Sequence, residues 1–240
     1  MRERGLHDDA TSSLMTACTK KSCPALANRS VNPRLALSIA GLCWLSVAFI
    51  AWSVMRGGTV SFDEAGLFLW RNADLSPIGS AHTLEIVRDI TSLGGVFLRH
   101  LFAIAAILSL IMMGMRRTAW HLTLIVSLGW TANSGLKALF SRPRPDIVPH
   151  LMGASGNSFP SGHSFNAAVV YVSIALIFAA MSQRTAVRYL LIASALLLSI
   201  MIAWSRVWLG VHWPTDVIAG WLGGVGWAFF MTAILGRRRT

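Results

Sequence analysis

Lys137-Ala-Leu-Phe-Ser-Arg-Pro-Arg-Pro145, then Pro160-Ser-Gly-His163, then Ser205-Arg206 and, after five residues, His212-Trp-Pro-Thr-Asp216 are polar blocks set at the ends of apolar runs. The runs are Leu35 to Met55, Val96 to Met115, Ala119 to Phe140, Ser164 to Met181, Tyr189 to Ser205 and Pro214 to Leu235. A bilayer hydrocarbon core of about 30 Å needs roughly 20 apolar residues per helix, and all six runs come close to that length. The expectation is an all-α, polytopic membrane protein built as one six-transmembrane-helix bundle. With six alternating spans, the first block lies where the third span exits and the second where the fourth begins. The third lies between spans five and six. All three then share one face of the membrane; with one span fewer between them they would be split across it.

Composition agrees. Of 240 residues, 54% are hydrophobic and 13% charged, a balance that belongs to a membrane protein rather than a soluble domain. A net charge of +11 would by itself suit nucleic acid, but its distribution does not. Thirteen of the 21 Lys and Arg residues fall on the side of the two termini: Arg2, Arg4, Lys20, Lys21, Arg29, Arg34, Arg116, Arg117, Arg184, Arg188 and Arg237 to Arg239. Eight fall on the other side, and the motif blocks account for four of those, namely Lys137, Arg142, Arg144 and Arg206. The positive-inside rule then places both termini in the cytoplasm and the blocks at the outer face. No nucleic-acid partner is expected.

Each block has a chemistry of its own. Pro143 and Pro145 push the residues before them out of helical geometry, so Arg144 is expected in a stiff extended segment with Lys137 reaching up from the third span. Arg grips phosphate oxygens with a fork and Lys acts as a point charge. Basic residues at helix ends also snorkel to lipid headgroups, and that is the reading for Arg142, and for Arg99 and His100 near the second span's outer end. Gly162 permits close approach of backbone to ligand, and the helix it opens points its first N–H groups at a bound anion. Ser161 adds a hydroxyl donor, and His163 is placed to protonate a leaving oxygen. His212 and Asp216 are four residues apart with Pro214 between them, which suits a first helical turn. The carboxylate can then fix the imidazole tautomer and support positive charge while the other ring nitrogen attacks phosphorus. Ser161 as nucleophile, with His163 as its base, is the competing assignment, and it leaves His212 and Asp216 without a role.

These blocks resemble the three-part signature of the type 2 phosphatidic acid phosphatase superfamily: Lys, six residues, Arg-Pro; Pro-Ser-Gly-His; Ser-Arg, five residues, His, three residues, Asp. Every signature position and both internal spacings are met. The resemblance covers about residues 96 to 235 and leaves the first 34 outside. It implies an integral membrane phosphatase acting on a lipid phosphate or pyrophosphate of the phosphatidic acid, phosphatidylglycerophosphate, undecaprenyl pyrophosphate or lipid A type. It implies His212 as nucleophile through a phosphohistidine, His163 as proton donor and Asp216 as the support of His212. Lys137, Arg144, Ser161, Gly162 and Arg206 would bind the phosphate. In a bacterium the site would face the periplasm from the inner membrane, with membrane lipids around it. A lipid-to-lipid phosphotransferase would use the same residues. A lipid binder or transporter would need the cations but neither histidine, and the soluble vanadium haloperoxidases of the superfamily lack six apolar spans.

No metal or other cofactor is expected. The chain has ten Asp and Glu, with Asp146 and Asp216 near the blocks, whereas a two-metal phosphatase needs a carboxylate-rich cluster. Cys18 and Cys23 fall in the cytoplasmic part and Cys43 in the first span, so no disulfide framework is expected. Residues 1–34 read as a flexible cytoplasmic tail, and 35–240 as a single membrane domain. Within it, residues 56–95 form an outer loop with two short helices. Ser61-Phe-Asp-Glu64 has capping-box spacing for the first of them, which runs through Trp70. The second runs from Ser80 to Ser92 and stops at Gly94-Gly95. The two either lie in the membrane interface or pack on the ends of the spans.

Overall fold

The computed structural model describes residues 32–235. The predicted tail and its two cysteines lie almost wholly outside the described residues, as does the basic run Arg237 to Arg239. Among the described residues there are eight helices and no strand beyond an isolated bridge from Arg71 to Pro77. The helices are α1 (Pro33–Met55), α2 (Val60–Phe68), α3 (Ala81–Leu93), α4 (Val96–Met112), α5 (Arg116–Leu139), α6 (Gly162–Met181), α7 (Thr185–Trp208) and α8 (Pro214–Leu235).

Helix α1 begins where Asn32 accepts a hydrogen bond from the Arg34 N–H at 2.9 Å and Pro33 takes the first helical position. Its buried residues Ala36, Ala40, Cys43, Val47 and Ala51 recur every three or four positions and face α8. The opposite side exposes Leu35, Leu42, Leu45, Phe49 and Trp52. A continuous apolar face of that kind suits lipid rather than water. Helices α6 and α8 form the centre, buried on nearly every side. Small residues let their backbones close up. A Cβ on Gly224 would strike the Phe165 carbonyl, and one on Gly220 would come within 2.6 Å of the Ser161 carbonyl oxygen. Helices α1, α5 and α7 pack around this pair, and α4 leans on α5 and α6.

Length and hydropathy alone qualify four helices as spans, α1, α6, α7 and α8. Taken together, α3 and α4 pass the same test but bend by 47° at Gly94-Gly95, which makes five. The six expected runs are therefore not all matched on these grounds. The reason is compositional: α4 has 17 residues including Arg99, and α5 carries Arg116, Arg117, His121, Asn133 and Lys137. The turn between the second and third apolar runs, which their bounds put after Met115, lies earlier, at Met113 to Met115, where Gly114 has a φ of +74°. Arg116 and Arg117 belong to the first turn of α5.

The 56–95 segment folds onto the bundle. Leu67 of α2 is fully buried against Val148, Val207 and Val217, while Val87 of α3 packs on Trp208, Leu209 and Val211. Arg71 donates to the carbonyls of Trp70 and Trp208 at 3.0 and 2.9 Å, and Arg88 donates to that of Leu151 at 2.7 Å. The capping box assigned to Ser61 is not formed. Helix α2 starts at Val60 after Thr59, with no side-chain cap, and Asp63 turns inward instead. Ser80 does cap α3, in a reciprocal pair with Thr83.

Candidate active site

Four helix ends meet at one end of the bundle. The C-terminal turns of α5 and α7 bring Lys137 and Arg206, and the N-terminal turns of α6 and α8 bring Gly162, His163 and Asp216. The N-terminal ends of α6 and α8 add the positive poles of their dipoles. The residues between α5 and α6 bring Arg142, Arg144, Ser158 and Ser161, and the turn between α7 and α8 brings His212. The two central helices are tied at their starts, where the Ser161 N–H donates to the Asp216 carbonyl at 2.9 Å. All eight residues singled out in the sequence thus lie at the same end.

His212 is 2% exposed and held from both sides. Arg144 Nη1 lies 3.1 Å from His212 Nε2. A guanidinium has only donors, so Nε2 accepts there and the ring proton sits on Nδ1. That nitrogen is 3.2 Å from Ser158 Oγ and 3.4 Å from Asp216 Oδ2. Ser158 Oγ in turn donates a short hydrogen bond to Asp216 Oδ2, which also accepts from the Trp213 N–H at 3.1 Å. Burial pushes the imidazole pKa down to about 4, against the pull of Asp216 and with Arg144 and Arg206 adding to the push. The ring is therefore neutral near pH 7, with its unprotonated nitrogen beside Arg144.

Arg144 is itself fixed by backbone. Its Nε donates to the Gly156 carbonyl at 3.1 Å, Nη2 to Ser155 at 2.8 Å and Nη1 to Val211 at 2.7 Å. Lys137 Nζ donates to the Asn157 carbonyl at 2.6 Å, and Asn157 Nδ2 returns a bond to the Lys137 carbonyl at 2.9 Å. A Cβ on Gly162 would sit 3.4 Å from Lys137 Cε and 3.3 Å from Asn133 Nδ2, so the bare glycine keeps that approach open. Arg206 is 3% exposed and donates to Thr91 Oγ1 at 3.0 Å, while its Nε is buried with no hydrogen-bond partner among the described residues. Ser161 is fully buried, and its Oγ accepts from Ser164 Oγ at 2.9 Å. Its hydroxyl proton is left for another acceptor, and its side-chain partner is a serine rather than an imidazole. Arg206, His212, Arg99 and Arg144 lie close enough to His163 to act on its ring electrostatically.

Several residues stand elsewhere than sequence suggested. Arg142 is not at a headgroup position: its Nη1 donates to Asp216 Oδ1 and its Nη2 to Asp63 Oδ2, both at 2.6 Å. Asp63, fully buried, also accepts from the Thr215 N–H at 2.9 Å and the Thr215 hydroxyl at 2.8 Å. Asp63 thus joins the blocks in space, although it precedes them by more than 70 residues. Arg99 does not snorkel; it is 5% exposed and donates to the Gly94 carbonyl at 3.1 Å. Ser158 and Thr91 were not singled out, though Ser158 stands three residues before Ser161. Among the described residues no three His, Cys, Asp or Glu side chains are grouped as metal ligands would be.

Comparison with known proteins gives a consistent set of relatives. The model of the PAP2 superfamily matches residues 118–240. Phosphatidylglycerophosphatase B of Bacillus subtilis is 35% identical over 147 residues, which is 59% of this chain and 70% of that protein. Lipid A 1-phosphatase of Rhizobium etli is 36% identical over 126 residues, 49% of each chain. Among solved structures, that of the transmembrane PAP2 type phosphatidylglycerolphosphate phosphatase from Bacillus subtilis superposes with a TM-score of 0.72. It is 28% identical and the match covers 81% of this chain and 94% of that one.

Proposed function

The chain belongs to the PAP2 superfamily, and from that premise we propose that it is a multi-pass membrane phosphatase that hydrolyses a lipid phosphomonoester or pyrophosphate through a phosphohistidine on His212. The observation that carries this reading is the setting of His212: a buried ring whose Nδ1 faces Ser158 and Asp216 and whose Nε2 lies 3.1 Å from the fixed Arg144. The Nδ1 side is held as a nitrogen nucleophile requires, and Arg144 must exchange its hydrogen bond to Nε2 for the phosphoryl oxygens before that lone pair can attack.

In the first step Nε2 attacks phosphorus in line and the bond to the leaving oxygen breaks. His163 supplies the proton that the departing alcohol or phosphate takes. The ring becomes positively charged as the P–N bond forms, and the Asp216 carboxylate offsets that charge. In the second step water attacks the phosphohistidine, His163 accepts its proton, and the P–N bond breaks to release inorganic phosphate. Lys137, Arg144, Arg206, the Ser161 hydroxyl and the Gly162 N–H hold the equatorial oxygens, where charge is spread. Three fixed cations match the charge on the phosphoryl group, so the scheme has no step that requires a metal. The Ser161 alternative is disfavoured because, among the described residues, the side-chain partner of Ser161 Oγ is Ser164 and not an imidazole that could take its proton.

Six crossings complete the proposal. Helices α4, the bent partner of α3, and α5 join the four spans that qualify on length and hydropathy, with Arg99 and Asn133 buried, Lys137 part-buried, and Arg116 and Arg117 exposed at the start of α5. The termini then lie in the cytoplasm and the site opens at the outer face, the periplasmic side of a bacterial inner membrane. A substrate with its tail in lipid and its head in water reaches such a mouth directly. Phosphatidylglycerophosphate and lipid A 1-phosphate, the substrates implied by the relatives' names, head the panel to be tried, with phosphatidic acid and undecaprenyl pyrophosphate. The test is phosphate release by purified protein in detergent with EDTA present. Release from at least one lipid that is lost in His212→Ala supports the reading. Consumption of lipid phosphate without free phosphate, but with a newly phosphorylated acceptor lipid, would instead identify a transferase.

A further inference from the structure

A chain of buried, alternating charges runs from the outer segment to the reactive ring. Asp63 on α2 is fully buried and holds Arg142 Nη2 at 2.6 Å. Arg142 Nη1 holds Asp216 Oδ1, also at 2.6 Å. The other oxygen of Asp216 is left for Ser158, the Trp213 N–H and His212. Thr215 locks the arrangement, donating its N–H and hydroxyl to Asp63 while its oxygen accepts from Arg142 Nη1 at 2.8 Å. One arginine, its side chain 15% exposed, therefore separates two fully buried carboxylates that would otherwise face each other. Two like charges so placed cannot both stay ionised at ordinary cost.

We infer that Arg142 and Asp63 are positioning residues for the reaction. Arg142 fixes Asp216 with one oxygen turned toward His212 and, together with Asp63, sets how much negative charge Asp216 presents to the ring. Neither residue belongs to the signature blocks' phosphate-holding set, and both guanidinium nitrogens of Arg142 that reach Asp63 and Asp216 are spent on carboxylates. Three formal charges, two negative and one positive, leave a single net negative charge behind the imidazole. That charge is enough to offset the imidazolium of the phosphohistidine without protonating the resting ring. The segment 56–95 thus contributes through Asp63 to a site whose other members come from residues 137–216.

The inference rests on His212 acting as nucleophile, and it is tested on the charge balance. The groups that face His212 are Asp216 on α8, Arg206 on α7, His163 on α6 and Arg144 between α5 and α6. Lys137 on α5 acts on Arg144 and Asp216. None of these is changed in the test, so a shift must come from the altered pair. Arg142→Gln leaves two negative charges in place of one. The extra negative charge stabilises protonated His212, so the acid limb of kcat/KM, where neutral His212 is required, moves to higher pH. We expect a shift of about one pH unit, with kcat down by on the order of 100-fold and KM nearly unchanged. The double variant Asp63→Asn with Arg142→Gln restores the net charge of one. It should recover about tenfold of kcat over Arg142→Gln and return the limb toward wild type.

A double variant no better than Arg142→Gln, or an acid limb that stays put in both, overturns the inference. Near-normal kcat in Arg142→Gln does the same. Should Arg142→Gln fail to fold, as judged by size exclusion and thermal melting in detergent, the double variant and Asp63→Asn alone carry the test. Asp63→Asn keeps the carboxylate's shape but leaves Asp216 as the one anion paired with Arg142 among the described residues, so kcat should fall about tenfold with KM unchanged; unchanged kcat is the contrary result. Wild-type protein whose phosphate release survives His212→Ala would overturn the parent reading instead, a failure recognisable before any of these variants is assayed.

Discussion

At the mouth of the bundle, Asp63, Arg142, Asp216, Arg144 and His212 are tied together by hydrogen bonds, the two carboxylates and the imidazole buried and the two arginines part-buried. Along the shafts below it, α1, α6 and α8 meet through Ala36, Ala40, Ala168, Val172, Val225 and Ala228, with glycines where backbones close up. The shafts have no charge to satisfy and tolerate lipid on their outer faces. The mouth has charges that are costly to bury alone and affordable only in mutual contact. Chemistry is thus confined to one end, and the rest of the bundle sets the spacing at which four helix ends present it.

That contrast can be broken in graded steps. His212→Ala should reduce phosphate release by on the order of 10,000-fold or more while leaving the melting temperature in detergent nearly unchanged. Arg144→Lys keeps the charge but loses the fork that reaches Ser155, Gly156, Val211 and the ring, so kcat should fall by on the order of 100-fold. Ser158→Ala removes the hydroxyl between Nδ1 and Asp216 and should lower kcat about tenfold with KM unchanged, as the loss of one buried hydrogen bond implies. In the shaft the ordering reverses. Gly224→Val drives a side chain into the Phe165 carbonyl and should cost about 1–3 kcal/mol of stability, with the folded fraction retaining near-normal specific activity. Leu42→Ala on the lipid-facing side of α1, where the residue is 69% exposed, should change stability by less than about 0.5 kcal/mol and activity not at all.

What the sequence disclosed follows the same division. Lys137, Arg144, His163, Arg206, His212 and Asp216 stand out because each block is short and sits at an apolar run's end, and the structure brings all six to one end of the bundle. Asp63, Arg142 and Ser158 do not stand out because their partners are remote. Arg142 meets Asp216 across 74 positions and Asp63 across 79, and Ser158 meets Asp216 across 58. A local rule even misdirects at Ser61-Phe-Asp-Glu64, where capping-box spacing occurs inside a helix that has already begun and Asp63 is taken by Thr215. Arg99 shows the complementary error. An arginine one turn from a helix end has a headgroup available in principle, but the bend at Gly94-Gly95 supplies a buried carbonyl instead. The scarcity of acids was the usable clue. Of the ten in the chain five lie in residues 56–95, and Asp63 is the one of these that pairs with a motif arginine among the described residues.

The most direct test of the account's centre is to trap the phosphoenzyme. Protein turning over a lipid labelled with radioactive phosphate is quenched and the chain examined for bound label. A label stable in alkali and labile in acid, absent from His212→Ala, is the expected result. A label stable in acid and lost in alkali would move the nucleophile to a serine, with Ser161 the first to examine. An enzyme that turns over steadily and carries no label at any quench time would contradict a covalent intermediate altogether.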